Sequence, residues 1–164
     1  MTNESTGMLL TRQLAALMLA NDYQLATAES CTGGGIAQLM TSLPGSSQWF
    51  ERGFVTYSND SKREMLEVAN DILENYGAVS EECAVAMAKG AVNQSHADFA
   101  LSVTGIAGPD GGSIDKPVGT VCFGWSQRNA ETLSARVVFD GDREQVRQQT
   151  IVMAIQGLLD FAQN

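Results

Sequence analysis

Short apolar segments typical of strands alternate with amphipathic segments typical of helices along most of the chain. Met8–Ala20 has apolar residues at helical spacing, and Tyr23–Ala28 follows it as a strand. Late in the chain, Val118–Gln127 and Thr132–Asp140 are both strand-like and have no helix between them, which predicts an antiparallel hairpin. Helical connections join parallel strands, whereas hairpins join antiparallel ones. The pattern therefore predicts an α/β protein, a three-layer α/β/α sandwich around a mixed sheet.

The remaining segments fit the same architecture. Helices are predicted over Ile36–Ser42, Lys62–Val68, Ile72–Tyr76 and Cys83–Val92, with a last helix capped by Asp142, and strands over Trp49–Tyr57 and Phe99–Thr104. The sequence contains no internal repeat, linker or low-complexity tract. We therefore expect residues 1–164 to form a single domain.

Charge and hydropathy limit the partners of the protein. Ten Lys and Arg residues against nineteen Asp and Glu residues give a net charge of −9, which disfavours binding to nucleic acid. The apolar runs are shorter than the roughly 18–20 residues that a bilayer span requires, so no membrane association is predicted. The first residues are polar and carry no basic segment, which indicates a cytoplasmic protein.

Cysteine and histidine are too sparse for several kinds of site. The three cysteines are scattered and form no C-x-x-C motif, which argues against a disulfide framework or a zinc finger. His96 is the single histidine, so sites that need two or more histidines are excluded. We expect His96 to lie at the surface or to cap a helix.

The first candidate site is the segment Ala28–Gly35, where a strand ends and a helix begins. Ser30 and Cys31 are potential nucleophiles there, and Gly33 and Gly34 allow a ligand to approach the backbone closely. Backbone N–H groups at a helix start can hold an oxyanion or a phosphate. A simple capped turn has the same composition and is the more common structure.

The second candidate pairs the end of a strand with the start of a helix. Tyr57 ends the strand, and Lys62 follows five residues later. Lysine can act as a general base where burial lowers its pKa, and a tyrosine hydroxyl can relay a proton or hold the amine in place. A solvated loop lysine is the structural alternative.

The third candidate is the Gly- and Pro-rich loop Gly105–Pro117. An apolar strand delivers Thr104 and Gly105 to this loop, and the carboxyl edge of an α/β sheet is the usual place for ligand contacts. The loop matches neither a Walker A motif nor G-x-G-x-x-G. Its length in a small domain is typical of a functional loop.

The fourth candidate is a pair of arginines near the start of the last helix. Arg143 and Arg147 are four residues apart and share one helix face. Such a pair can clamp a phosphate. Surface ion pairs with Glu144 or the nearby aspartates are the structural alternative and the more common arrangement.

Together these segments resemble the CinA C-terminal domain family, the nicotinamide-nucleotide amidohydrolases. The motifs that carry the resemblance occur in order over nearly the whole chain: Thr27–Gly34, Gly45–Gly53, Val55–Asn59, Gly77–Ser80, Thr104–Gly112 and Lys116–Val121. The chain is similar to the stand-alone form of the family. The resemblance implies hydrolysis of nicotinamide mononucleotide to nicotinic acid mononucleotide and ammonia, with neither a metal nor another cofactor.

The resemblance also assigns roles to individual residues. Ser30 matches the nucleophile, Lys62 the general base and Tyr57 a supporting hydroxyl, all predicted to be catalytic. The predicted substrate contacts come from three places: the first turn, the start of the Gly- and Pro-rich loop, and the last helix. They are Thr32, Gly33, Gly34, Thr104, Gly105 and Arg143. The N–H groups around Thr32 to Gly34 are expected to stabilise the oxyanion.

Two other hypotheses stay open at the level of sequence. Cys31 could be the nucleophile, because thiolates are stabilised at helix N-termini. Alternatively, the protein could bind pyridine nucleotides without turnover, or act as an accessory protein in competence or recombination through a protein partner. Apolar residues exposed on the first and last helices could support a homo-oligomer.

Overall fold

The computed structural model describes residues 4–164. The helices are α1 (Thr6–Ala20), α2 (Gly35–Thr41), α3 (Asn59–Leu66), α4 (Asn70–Tyr76), α5 (Glu81–Asn93) and α6 (Arg143–Gln163). The strands are β1 (Leu25–Glu29), β2 (Phe50–Val55), β3 (Phe99–Gly105), β4 (Thr120–Gln127) and β5 (Thr132–Val138), and a short 3-10 helix spans Ser46–Gln48.

The five strands form one mixed sheet in the order β2-β1-β3-β4-β5. The first three are parallel, while β4 is antiparallel to β3 and β5 is antiparallel to β4. The chain runs from β1 to β2 on one side and later to β3 on the other, so the strand order reverses at β1. In open α/β sheets, ligands bind beyond the carboxyl end of the strand where this reversal occurs.

Helices cover both faces of the sheet, which confirms the predicted three-layer sandwich. Side chains alternate along the buried strands: Leu25 and Leu101 face the core under α1, α2 and α6, whereas Ala26 and Ala100 face the core under α3, α4 and α5. The first core contains large residues, including Trp49. The two cores lie on opposite faces of one sheet and fix the helix starts above its carboxyl edge.

The second core is built largely from small residues, and its helices approach closely. A Cβ atom placed on Gly90 of α5 would lie 2.1 Å from the carbonyl oxygen of Leu66, in the last turn of α3. Only glycine fits at this contact, because a Cβ–oxygen separation that short is sterically forbidden. Gly90 therefore sets the spacing between α5 and α3.

Element boundaries differ from the predictions by a few residues. The helix predicted over Lys62–Val68 begins earlier, at Asn59, because the Ser58 hydroxyl accepts a hydrogen bond from the N–H of Ser61 and caps it. Strand β4 begins at Thr120, whose N–H closes a turn onto the carbonyl of Pro117 at 3.0 Å. His96 is exposed, as predicted. Within residues 4–164, no helix combines the length and the apolar character that crossing a membrane requires.

Candidate active site

The site begins with the turn that joins β1 to α2. Ser30 follows β1 directly, and its carbonyl oxygen accepts a hydrogen bond from the N–H of Gly33 at 3.0 Å. A second turn follows, in which the N–H of Gly35 donates to Thr32 O at 3.0 Å. Gly33 and Gly34 have φ values of +61° and +100°, which L side chains rarely adopt. These glycines let the chain reverse tightly and leave Ser30 at the carboxyl end of the sheet.

The buried carboxyl group of Glu29 occupies the N-terminus of α2. It accepts hydrogen bonds from the N–H groups of Ile36 at 2.8 Å and Ala37 at 3.0 Å, and from the Thr32 hydroxyl at 2.6 Å. A side chain of the protein therefore occupies two of the N–H groups at the start of α2. The donors that remain for an oxyanion therefore lie earlier in the turn, because the acidic residue that ends β1 occupies the N–H groups of Ile36 and Ala37.

Lys62 is buried against Ser30. Its side chain is 1% exposed, and Nζ lies 3.0 Å from Ser30 Oγ, to which it donates. Nζ also donates to two backbone carbonyl oxygens, Thr56 O at 2.9 Å and Tyr57 O at 3.2 Å. The Ser58 cap starts α3 so that Lys62 lies one turn into the helix, on its buried side. The structural alternative of a solvated lysine is thus ruled out.

The surroundings of Lys62 favour its neutral form. Burial lowers the pKa of Lys62 below its ordinary value, and its three hydrogen-bond partners are all uncharged. A neutral amine has two N–H groups and one lone pair. When the two N–H groups donate to Thr56 O and Tyr57 O, the lone pair is left for the hydroxyl proton of Ser30. This geometry makes Lys62 a suitable base for Ser30.

Tyr57 contributes differently from what its position in the sequence suggests. Its backbone carbonyl contacts Lys62, whereas its side chain is 64% exposed and its hydroxyl accepts a hydrogen bond from Arg143 Nη2 at 3.4 Å. Arg143 also donates from Nη1 to Gly108 O at 2.8 Å. The backbone of Tyr57 therefore holds the lysine, and its hydroxyl lies at the rim of the site.

These residues surround a cavity of about 160 Å³. Six of the nine predicted site residues line it, namely Ser30, Tyr57, Lys62, Thr104, Gly105 and Arg143. The other three, Thr32, Gly33 and Gly34, belong to the turn behind Ser30 and do not line the cavity. Thr104 is buried, and its hydroxyl donates to Ala78 O at 2.8 Å, which ties β3 to the segment before α5.

The two arginines of α6 have different partners. Arg143 lines the cavity, whereas Arg147 donates from Nε to Cys31 O at 3.2 Å and from Nη2 to Thr32 O at 3.1 Å. Within residues 4–164, neither arginine forms an ion pair. The alternative of surface ion pairs with Glu144 or the aspartates is wrong, because both guanidinium groups donate to backbone carbonyls instead.

Cys31 lines the cavity but is poorly suited to act as a nucleophile. Burial raises the pKa of its thiol to about 11, so the thiol is protonated at neutral pH. The helix N-terminus that could have stabilised a thiolate is occupied by Glu29. The structure therefore favours Ser30 over Cys31.

Glu29 and the turn contacts of Arg147 are the functional features that sequence reasoning missed. A charged residue that ends a largely apolar strand requires a buried partner, and the nearest donors are those of the following helix. This signal was present at Glu29. Nothing local to Arg147 indicates its partners, which lie more than a hundred residues earlier in the chain.

The fold and the cavity define an α/β protein with a serine–lysine pair in a cleft at the point where the strand order reverses. Residues 8–162 match the CinA C-terminal domain family, and the chain belongs to this family. The resemblance carried by the sequence motifs is thereby confirmed.

The relatives carry an enzymatic name. The chain is 50% identical over 156 residues to the nicotinamide-nucleotide amidohydrolase PncC of Enterobacter agglomerans, covering 94% of this chain and 95% of that protein. It is 48% identical to the protein of the same name from Escherichia coli K12, covering 98% of both chains. Among solved structures, competence/damage inducible protein CihA of Agrobacterium tumefaciens superposes with a TM-score of 0.93 at 42% identity, covering 98% of both chains.

Proposed function

We propose that this protein hydrolyses the carboxamide of nicotinamide mononucleotide, with Ser30 as nucleophile and Lys62 as general base. The observation that carries the proposal is the 3.0 Å contact between Ser30 Oγ and the Nζ of a lysine that is buried without a charged partner. Relatives that are 48–50% identical over nearly the whole chain are named nicotinamide-nucleotide amidohydrolases, and this name supports the choice of substrate. The small, partly polar cavity beside this pair is the reaction site.

The chemistry follows from the two side chains. Ser30 Oγ attacks the carboxamide carbon while neutral Lys62 takes the hydroxyl proton. The tetrahedral intermediate collapses when the Lys62 ammonium returns that proton to the amide nitrogen, and ammonia leaves. A water molecule then gives a proton to Lys62 and attacks the acyl carbon. Lys62 finally reprotonates Ser30 Oγ, which releases the nicotinic acid nucleotide.

The donors for the oxyanion follow by elimination. The N–H groups of Gly33, Ile36 and Ala37 already donate within the protein. The N–H of Ser30 donates to Val103 O at 3.1 Å. Of the turn, this leaves the N–H groups of Cys31, Thr32 and Gly34, of which those of Cys31 and Thr32 directly follow the nucleophile. We assign the oxyanion to these two groups.

The cavity also indicates how a nucleotide binds. A volume of about 160 Å³ is below the roughly 300–1,000 Å³ typical of ligand pockets, so it holds the carboxamide end and not the entire nucleotide. The rest of the substrate extends past the rim, where Arg143 and the Tyr57 hydroxyl lie. Arg143 supplies a positive charge for the phosphate there, despite the net charge of −9.

Ammonia release from purified protein incubated with nicotinamide mononucleotide tests the proposal. We expect the wild type to release ammonia and Ser30→Ala to release none while remaining folded by circular dichroism. Ser134→Ala is the matched control, since Ser134 is an exposed serine on β5 that contacts Glu81 and not the cavity. Substantial turnover by Ser30→Ala would remove Ser30 from the mechanism. Tight binding of the nucleotide by an inactive wild type would favour the non-catalytic alternative.

We also propose that the chain forms one domain and assembles as a homo-oligomer. The exposed side chains of Leu9 and Leu19 on α1 support an interface on that helix. Sedimentation equilibrium measures the mass directly. A monomer at micromolar concentration would contradict the assembly.

A further inference from the structure

Arg147 contacts the first turn without lining the catalytic cavity. Its guanidinium group donates to two successive carbonyl oxygens, Cys31 O and Thr32 O, and it lines a separate cavity of about 580 Å³ between α1, α2 and α6. Ser30 and Cys31 line the catalytic cavity instead. We propose that Arg147 is a positioning residue that orients the N–H groups which stabilise the oxyanion, an inference that rests on the function proposed above.

Peptide geometry links the arginine to those N–H groups. In a trans peptide, the C=O and the N–H of one peptide unit point in opposite directions. Because Arg147 holds the carbonyl of Cys31 on its own side, the N–H of Thr32 points away from Arg147. The carbonyl of Ser30 is likewise held, by the N–H of Gly33, so the N–H of Cys31 is directed away from that bond. Both proposed oxyanion donors are thus fixed through the carbonyls of their own peptide units.

The second contact of Arg147 supports the first turn as well. Its bond to Thr32 O fixes the peptide unit whose N–H belongs to Gly33, and this is the N–H that holds Ser30 O. The two bonds come from Nε and Nη2, which lie in one rigid plane. One planar side chain therefore sets the orientation of two consecutive peptide units.

Charge adds to orientation. A cation hydrogen-bonded to a carbonyl polarises the peptide unit and strengthens its N–H as a donor. The Thr32 N–H is thus a stronger hydrogen-bond donor to an oxyanion than it would be without Arg147. The Arg147 side chain does not line the cavity that Ser30 lines, and it acts through these peptide units.

Arg147 and Arg143 should therefore have separable effects. Arg143 lines the catalytic cavity and is proposed to bind the phosphate, so its loss raises KM. Arg147 acts only on the turn, so its loss lowers kcat and leaves KM unchanged. This split distinguishes a positioning role from a substrate contact.

The test compares Arg147→Met and Arg147→Lys with the wild type in the ammonia-release assay. The matched control is Arg12→Met, because Arg12 is exposed on α1 and pairs with Glu4 away from the turn. For Arg147→Met we expect kcat to fall by about a hundredfold, the typical loss on removing one oxyanion donor. Lysine keeps the charge without the planar pair of donors, so an intermediate kcat is expected. KM and the acidic limb of the pH–kcat profile, set by Lys62, should not move in either variant.

Each outcome decides the proposal. Wild-type kcat in a folded Arg147→Met variant overturns it, and so does a shift of the acidic limb, which would place the effect on Lys62. If Arg147→Met does not fold, Arg147→Lys decides, since a lowered kcat at unchanged KM supports the role and a wild-type kcat overturns it. Failure of the proposed function is seen separately, as an inactive wild type or an active Ser30→Ala variant.

Discussion

Two segments meet at the cavity, and the ionisable side chains in them have different kinds of hydrogen-bond partner. In the turn after β1, the carboxyl group of Glu29 accepts three hydrogen bonds, and the guanidinium group of Arg147 donates two. In the segment from Thr56 to Lys62, the buried amine has only a hydroxyl and two carbonyl oxygens as partners. Charged side chains of the protein are hydrogen-bonded in the first segment, whereas the second segment gives its amine no counter-ion and so favours the neutral form.

The contrast separates two requirements of amide hydrolysis. An oxyanion must meet donors that do not move, and the turn supplies rigidity through its charged contacts. A base must be uncharged to accept the serine proton, and the burial of Lys62 favours the uncharged amine by lowering its pKa. Changes in the turn should therefore alter kcat and stability, while changes at Lys62 should alter the response to pH.

The largest effect is expected from Lys62→Met, which keeps the length of the side chain and removes the base. We expect kcat to fall by about 10²–10⁴-fold, the usual contribution of general base catalysis. Ammonia release measures this loss, and Lys89→Met on the exposed side of α5 is the matched control. Activity near the wild-type level would show that Lys62 is not the base, and the segment around it would then have no separate role in catalysis.

The pH dependence of activity and of stability should both report Lys62. Activity is expected to rise with pH through the lowered pKa of Lys62, because only the neutral amine accepts the Ser30 proton. Between that pKa and the ordinary value of 10.5, the unfolded chain binds more protons than the folded one, so wild-type stability rises with pH. Urea unfolding of the wild type and Lys62→Met across this window measures the difference. A difference that stays constant throughout would mean that folding does not lower the pKa.

A smaller effect is expected from Glu29→Gln. The amide keeps one acceptor oxygen and turns a donor toward an N–H group of α2, so one helix donor loses its partner. We expect the free energy of unfolding to fall by about 1–3 kcal/mol, with a lowered kcat and an unmoved pH profile. Urea unfolding measures the change in the free energy of unfolding, with the exposed Glu131→Gln variant as the control. Unchanged stability would show that the turn does not depend on this carboxyl group.

The smallest effect is expected from Cys31→Ala. The thiol has a pKa of about 11, so it is protonated and contributes to the cavity mainly by filling space. We expect kcat to stay within about threefold of the wild type, because a protonated buried thiol is a poor nucleophile. Steady-state kinetics measures it, and a loss as large as that of Lys62→Met would revive the cysteine hypothesis.

Local patterns were sufficient to predict the layers and the main elements. Apolar periodicity placed the helices and strands within a few residues, and the two late strands without a helix between them gave the mixed sheet. Ser30 was predictable because the glycines after it require a turn at the end of an apolar strand. Lys62 could be named as a candidate base from its place after a strand and from the resemblance, but its burial was not predictable, since it depends on how α3 packs against the sheet.

The contacts between distant residues were not predictable. The Arg147 bonds join residues more than a hundred positions apart, and the spacing of the arginines suggested ion pairs instead. Tyr57 was expected to act through its hydroxyl, but the sequence does not tell whether a side chain or its own carbonyl faces a neighbour. Such contacts depend on the order of strands in the sheet, which brings β1 between β2 and β3.

The tight approach of α5 to α3 has a consequence for the interpretation of variants. Gly90 touches the backbone of Leu66, one turn beyond Lys62 on the same helix. A methyl group at position 90 would push that helix outward and lengthen the serine–lysine distance without altering either side chain. A mutational scan scored by turnover would then rank a remote glycine alongside the reacting groups, although it lines no part of the cleft.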